Sequence, residues 1–261
     1  MKTAAIIQAR MGSTRLPDKV LMPVMGKPLL GWMLERVATC AEVDEVIIAT
    51  TTDPRDDVIA AFAQSVGCKL YRGSEDDVLD RYYQAARMVM PDAVARITAD
   101  CPLLDPKLLD SMIRTFARGE VDFLSNSEPL PSSWPDGMDV SVVGFEALSK
   151  AWQQAVKPSE REHVTFYFWQ NPQAFKCKRI DHEPNWSKYR VTIDYPEDFD
   201  VLKAIIEHFG ATEPAALSRV SMEEIVGFLD VHPTVFGLNE KYTRGMGWQP
   251  AFERDRRFGF G

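Results

Sequence analysis

The feature that most constrains this chain is the alternation, over its first 125 residues, of short apolar runs with apolar faces at helical spacing. Thr3 to Ala9 is a continuous apolar run, of the kind buried on both faces of a parallel sheet. Leu29, Leu30, Met33, Leu34 and Val37 then recur at helical spacing, with Pro28 suited to a first turn. Val46 to Thr51 reads as a second strand. Val58, Ile59, Phe62 and Val66 form a helix face closed by Gly67. Lys69 to Tyr71 is a strand, Val78, Leu79, Tyr82, Tyr83 and Ala86 a helix face, and Ala93 to Ala99 another strand. Leu108, Leu109, Met112, Ile113 and Phe116 line the next helix, and Val121 to Leu124 returns to strand. Such a rhythm predicts an α/β chain with a mostly parallel, doubly wound sheet.

Beyond residue 125 the rhythm breaks. Pro129, Pro131 and Pro135 make the stretch from Glu128 to Asp136 an irregular loop. Strands are expected at Met138 to Val143, Ala174 to Ile180 and Tyr189 to Asp194. Ser221-Met-Glu-Glu224 is a capping box opening a helix that ends near His232-Pro233. The segment from Lys241 onward, basic and glycine-containing, reads as a loosely packed arm. No linker divides the chain, so one domain with a smaller second-half subregion is expected.

Composition narrows the partners. A net charge of −8 argues against nucleic acid, whose phosphates demand a surplus of Lys and Arg. No apolar run approaches the roughly 18 to 20 residues of a membrane helix. Met1 to Arg10 has no small-residue cleavage site, so the expectation is a soluble cytoplasmic protein. Cys40, Cys68, Cys101 and Cys177 lie far apart without a C-x-x-C, and read as reduced thiols.

Three segments carry chemistry. Gln8-Ala-Arg-Met-Gly-Ser-Thr-Arg-Leu-Pro-Asp-Lys19 leaves the first strand at its carboxyl end, where open α/β sheets place ligands. Gly12, Ser13 and Thr14 let backbone N–H groups approach a ligand, and Arg10, Arg15 and Lys19 surround them. Three cations on one turn of an acidic chain suggest a polyphosphate site, although the pattern is neither a Walker A loop nor G-x-G-x-x-G. Arg96-Ile-Thr-Ala-Asp-Cys-Pro-Leu103 runs a strand into Asp100, and Arg190-Val-Thr-Ile-Asp-Tyr-Pro196 repeats the construction at Asp194. Each aspartate reads either as a helix cap or as a carboxylate that could share Mg²⁺ with the other. Ser74, Asp80 and Arg81, in the turn from Arg72 to Arg81, either read a base or ribose or belong to a plain capped turn. Asp136-Gly-Met-Asp139 and Arg161-Glu-His163 are polar clusters suited to an acceptor, although a lone helical His is as readily structural. Asp198-Phe-Asp200 reads as surface. No nucleophile elbow supports a hydrolase triad.

These motifs resemble the cytidylyltransferases, in particular the spore-coat polysaccharide biosynthesis protein F group, related to 3-deoxy-manno-octulosonate cytidylyltransferase. The resemblance rests on Ile6 to Leu21 with Gly26-Lys-Pro-Leu, Tyr71 to Tyr82, Arg96 to Leu103, Gly137-Met-Asp, Arg161-Glu-His-Val-Thr and Thr192-Ile-Asp-Tyr-Pro-Glu-Asp, spanning about residues 3 to 210. It implies the nucleotide-diphospho-sugar transferase (GT-A-like) architecture. A nucleotidyltransferase domain would span 1–235, with a nucleotide part about 1–125, an acceptor part about 126–195 and a basic arm at 236–261. By resemblance, Arg15, Lys19 and Asp100 would be catalytic. Gln8, Ala9, Arg10, Gly12, Ser13, Arg15, Lys19, Ser74, Asp80 and Arg81 would bind the nucleotide, and Asp139, Arg161 and His163 the acceptor. Asp100 and Asp194 would hold Mg²⁺. One departure is Asp18, where the family's Leu-Pro-Gly-Lys has Gly; it would bring a carboxylate near the phosphates.

The reaction implied is in-line attack by a sugar-like acceptor on the α-phosphate of a nucleoside triphosphate, CTP by resemblance, releasing pyrophosphate for surface polysaccharide synthesis. A homodimer is left open. Two other readings compete: a glycosyltransferase using a nucleotide sugar, disfavoured by the missing D-x-D at a strand end, and a nucleotide-binding scaffold without catalysis, which Asp18 would support.

Overall fold

The rhythm of the first 125 residues becomes one side of a seven-stranded sheet in a computed structural model, which describes residues 1–211, 213–246 and 248–260. The strands are β1 (Thr3–Gln8), β2 (Glu45–Thr51), β3 (Lys69–Gly73), β4 (Ala93–Thr98), β5 (Phe123–Ser125), β6 (Ser141–Gly144) and β7 (Cys177–Arg179). Their spatial order is β3-β2-β1-β4-β6-β5-β7. Neighbours pair in parallel except β6, which runs antiparallel to both β4 and β5. The order reverses at β1, so the crevice beyond the carboxyl ends of β1 and β4 is the place for a ligand.

β1 is buried on both faces, as its apolar run requires. Ile7 faces one core with Leu30, Met33, Ile97 and Leu109, while its neighbour Ile6 faces the other with Leu79, Tyr82, Val94 and Phe168. Helices Leu29–Val37, Asp57–Ser65, Val78–Arg87 and Pro106–Phe116 follow β1 to β4 in turn. Ser221 caps Met222–Val231 through the expected box with Glu224.

Four expectations change. In Asp57–Ser65 the buried face is Ile59 and Ala63, four residues apart, while Val58 and Val66 are half exposed. The strand expected from Met138 begins at Ser141, because the Asn126 side chain intercepts the backbone before it: its amide donates to Met138 O at 2.6 Å and its oxygen accepts from Val140 N at 2.9 Å. Tyr189 to Asp194 joins no ladder beyond a single bridge between Asp136 and Arg190. It crosses the carboxyl end of the sheet, where Val191 N donates to Asp136 O and Ile193 N to Asp100 O. The segment from Lys241 is not loose. Its helix Gln249–Arg257 packs on Pro158–His163, where Ser159 N and Oγ donate to the Asp255 carboxylate at 2.9 and 2.5 Å. Among the described residues no helix is long and apolar enough to cross a membrane, and the four cysteines are free thiols.

Candidate active site

The turn after β1 is anchored from below. Asp56 is buried and accepts from Met11 N at 2.7 Å and from Thr51 N at 3.2 Å, which fixes where the chain leaves the sheet. Asp18 adopts a left-handed conformation, φ 62°, immediately before the short turn Lys19–Leu21. That backbone explains why Gly suits the position and why Asp, which tolerates it, can replace Gly. Asp18 is exposed and does not line the cleft. The carboxylate expected beside the phosphates lies outside the cleft, so the scaffold reading loses that support.

Lys19 is directed inward instead. Its ammonium donates to Ile193 O at 2.6 Å and to Asp194 Oδ1 at 2.8 Å, and lies 3.6 Å from Asp100 Oδ2. Arg15 donates to the same Asp194 oxygen at 2.6 Å. Two aspartates almost a hundred residues apart thus meet on one lysine, above the ends of β1 and β4. Burial disfavours charge on Asp100, yet Lys19 and hydrogen bonds from Thr98 and Cys101 hold its carboxyl below the ordinary carboxylate value. Asp194 does not cap the helix Pro196–Gly210. That work falls to Asp198, whose carboxylate accepts from Asp194 N at 2.9 Å and Tyr195 N at 3.0 Å. Asp198, expected at the surface, is fully buried and grips Arg190 with two bonds of 2.8 Å. Arg190 in turn reaches Asp136 at 2.5 Å and Asp194 at 3.4 Å.

The cleft encloses about 420 Å³. Gln8, Ala9, Arg10, Ser13, Arg15, Lys19, Arg81, Asp100, Asp139, His163 and Asp194 all line it. Gly12, Ser74, Asp80 and Arg161 do not. Gly12 sits where an added Cβ would meet Glu75 and Arg55 at 3.3 and 3.5 Å. Ser74 Oγ accepts from Asp77 N, and the Asp80 carboxylate accepts from Trp152 Nε1 at 2.8 Å. Arg161 donates to Asp77 at 2.5 and 3.0 Å and to Trp152 O at 2.7 Å, tying the helix Pro158–His163 to the start of Val78–Arg87. These polar side chains serve the frame, because each already has its partners.

The second-half wall of the cleft follows from Gly137. Its φ is +105°, and a Cβ there would lie 2.5 Å from the backbone of Val191 and Thr192. Only glycine lets the two segments cross, and the crossing turns Asp136 and Asp139 into the cleft. Burial pushes the Asp139 carboxyl up to about 7; Arg244, 2.7 Å away, opposes this, and Asp136, Asp100 and Glu128 add to it. His163 stacks on Phe166 at 4.5 Å, and burial with Arg96 nearby pushes it down to about 4, so it is neutral at pH 7. Arg244, Trp248 and Arg254, from the segment expected to be loose, complete this wall. Neither they nor Asp56 carried a sequence signal, because the contacts that bring them to the site, such as Asp56 with Met11 and Arg244 with Asp136 and Asp139, span 45 or more residues.

A cationic turn and paired carboxylates at the switch point of a parallel sheet define a nucleotide-using transferase. The chain belongs to the cytidylyltransferase family, whose model matches residues 4–225, and it is a nucleotidyltransferase. It is similar to the spore coat polysaccharide biosynthesis protein SpsF of Bacillus subtilis, 34% identical over 237 residues that cover 87% of this chain and 94% of that protein. It is also similar to the 3-deoxy-manno-octulosonate cytidylyltransferase of an Anaeromyxobacter species, 33% identical over 237 residues, 84% and 95% of the two chains. A solved cytidylyltransferase from Leptospira borgpetersenii, 34% identical, superposes with a TM-score of 0.83 over 90% of this chain and 97% of its own.

Proposed function

We propose that this enzyme transfers CMP from CTP to a sugar-like acceptor, releasing pyrophosphate, in the building of a surface polysaccharide. The observation that carries the reading is the meeting of Asp100 and Asp194 on Lys19, beside Arg15. CTP is supported by the family, and the acceptor class by the names of the two relatives.

Mg²⁺ fits the donor set. Among the described residues no cluster of three or more His, Cys, Asp or Glu could hold a metal, but Asp100 and Asp194 form a pair, and Mg²⁺ takes one or two carboxylates together with phosphate oxygens. When bound, it would neutralise phosphate charge. Lys19 and Arg15 neutralise these carboxylates. A triphosphate offers the same cations stronger anionic partners, so Arg15 and Lys19 would turn to it and free Asp194. Arg10, paired with Glu75 at 3.1 Å on the exposed rim, would add a third contact. Asp139 would take a proton from an acceptor hydroxyl; that it lines the cleft and that its value near 7 suits a general base support this.

The test is pyrophosphate release from CTP and Mg²⁺ on addition of candidate acceptors, beginning with 3-deoxy-manno-octulosonate and mixed nonulosonate and hexose pools. Release is expected with one of them and should vanish in Asp100→Ala. Release that persists near the wild-type rate in that variant would reject the assignment of Asp100.

A further inference from the structure

The Asp139 carboxylate is held by a single bond. Arg244 Nη2 donates to its Oδ1 at 2.7 Å, and Oδ2 accepts nothing among the described residues. The side chain lines the cleft and is 29% exposed. A carboxylate gripped through one oxygen keeps the other for a substrate, but its rotation is fixed only by that grip. A bridge that served the fold alone would gain by engaging both oxygens.

Arg244 is fixed from several sides. The same Nη2 donates to Pro135 O at 2.7 Å, and Nε reaches Asp136 Oδ1 at 3.4 Å. Asp136 is itself held by Arg190 at 2.5 Å. The backbone that carries Arg244 is pinned both before and after it. Asn239 is buried, and its amide donates to Asp198 Oδ1 at 2.8 Å and to Arg190 O at 3.2 Å. Lys241 and the Tyr242 hydroxyl donate to Glu197 at 2.7 and 3.0 Å, and the Tyr242 ring stacks on Tyr195 with centroids 3.8 Å apart. Beyond it, Asp255 fastens the helix Gln249–Arg257 to Ser159. A side chain delivered by a segment tied down this often has a defined aim, which a loose arm could not give. All of these ties lie past residue 225, where the family model stops matching.

We propose that Arg244 is a positioning residue for the transfer: by gripping Oδ1 it turns Oδ2 of Asp139 toward the acceptor hydroxyl. The hydroxyl proton passes to Oδ2 as the hydroxyl oxygen bonds to the α-phosphorus and the bond to pyrophosphate breaks. This rests on the reading of Asp139 as the group that takes the acceptor proton, and it adds the residue that aims it.

The experiment is a double-mutant cycle on the full chain. Wild type, Arg244→Met, Asp139→Asn and the double variant are assayed for pyrophosphate release with Mg²⁺, CTP and the acceptor that supports turnover. Methionine keeps an aliphatic stem and removes the donors. In Arg244→Met, kcat should fall about 10- to 100-fold, the scale of a misplaced base, while KM for CTP stays within about threefold. In the Asp139→Asn background the same substitution should cost less than about threefold, because no carboxylate is left to aim. A contact that matters only to the fold would cost the same in both backgrounds. Equal cost in the two, a kcat for Arg244→Met within about threefold of wild type, or a loss expressed in KM for CTP instead of kcat would each overturn the proposal. If Arg244→Met does not fold, Arg244→Gln, which keeps a donor, carries the cycle. Undiminished turnover by Asp139→Asn removes the base reading itself, whereas loss there with full activity in Arg244→Met overturns only the role of Arg244.

Discussion

Lys19→Met isolates the junction on which the site depends. Methionine keeps the aliphatic stem, so the substitution removes a charge with little change in packing. The lost contacts are those to Ile193 O at 2.6 Å, to Asp194 at 2.8 Å and to Asp100 at 3.6 Å. Removing one member of a buried ion pair costs about 3 to 5 kcal/mol when the other is stranded. Here Asp194 keeps Arg15 and Arg190, and the Asp100 side chain is about a third exposed, so about 2 kcal/mol is the better figure. For a chain of this length that corresponds to a fall in Tm of about 4 to 8 °C at pH 7. The sign with pH follows from Asp100. Its carboxyl lies below the ordinary value, so it contributes stability at neutral pH that is lost as pH falls below about 4. In Lys19→Met that acid-side loss should shrink. The same ammonium is assigned to the triphosphate, so CTP affinity should fall about 10- to 100-fold. Thermal unfolding from pH 3 to 7, with and without CTP and Mg²⁺, reads all three effects. A variant with wild-type Tm, wild-type acid sensitivity and undiminished stabilisation by CTP would refute the reasoning.

Two further predictions follow from the second-half wall of the cleft. The Asp139 carboxyl, raised to about 7, keeps a proton in the native state that the unfolded chain releases near pH 4, so it lowers stability as pH rises through that interval. Asp139→Asn should therefore lose less stability than wild type between pH 4 and 7 in thermal melts, while losing turnover of a hydroxyl acceptor; parallel stability profiles would count against the raised value. Gly137→Ala forces a Cβ to within 2.5 Å of the backbone of Val191 and Thr192, at a φ that L-residues rarely adopt. A loss of about 3 kcal/mol or more is expected by urea denaturation, and a change under 1 kcal/mol would mean that the crossing relaxes easily.

The parallel half of the fold was legible because helices and strands there obey local periodicity, and β1 shows it most plainly. The second half was harder for a physical reason. Between Asn126 and Val140 backbone groups are met by the Asn126 side chain, and from Tyr189 to Asp194 by isolated long-range bonds to Asp136 and Asp100 instead of a ladder, so an alternating pattern overstates the strands. Among the candidate residues, the positions of those on the turn after β1 and of Asp100 just beyond β4 were legible, since a strand end fixes the direction of the chain that leaves it, whereas Asp194 reaches Lys19 from a segment that pairs with no strand. Arg161 and Asp80 could not be told from ligand contacts, because a polar residue next to a cleft looks the same in sequence whether its partner is a ligand or Asp77. Asp198 was misread from its place in an amphipathic helix; its first-turn position makes it a cap, and capping is what buried it. Arg244 lies beyond the span that the family model matches, and its contacts to Asp136 and Asp139 are purely tertiary.

The account stands or falls on whether Asp100 and Asp194 make CTP binding depend on a divalent ion. Calorimetric titration of wild type, Asp100→Asn and Asp194→Asn with CTP, each with Mg²⁺ and with chelator, measures this directly. Mg²⁺ should tighten CTP binding to wild type by about tenfold or more and should do little for either variant. Equal tightening in all three proteins, or none in wild type, would contradict it.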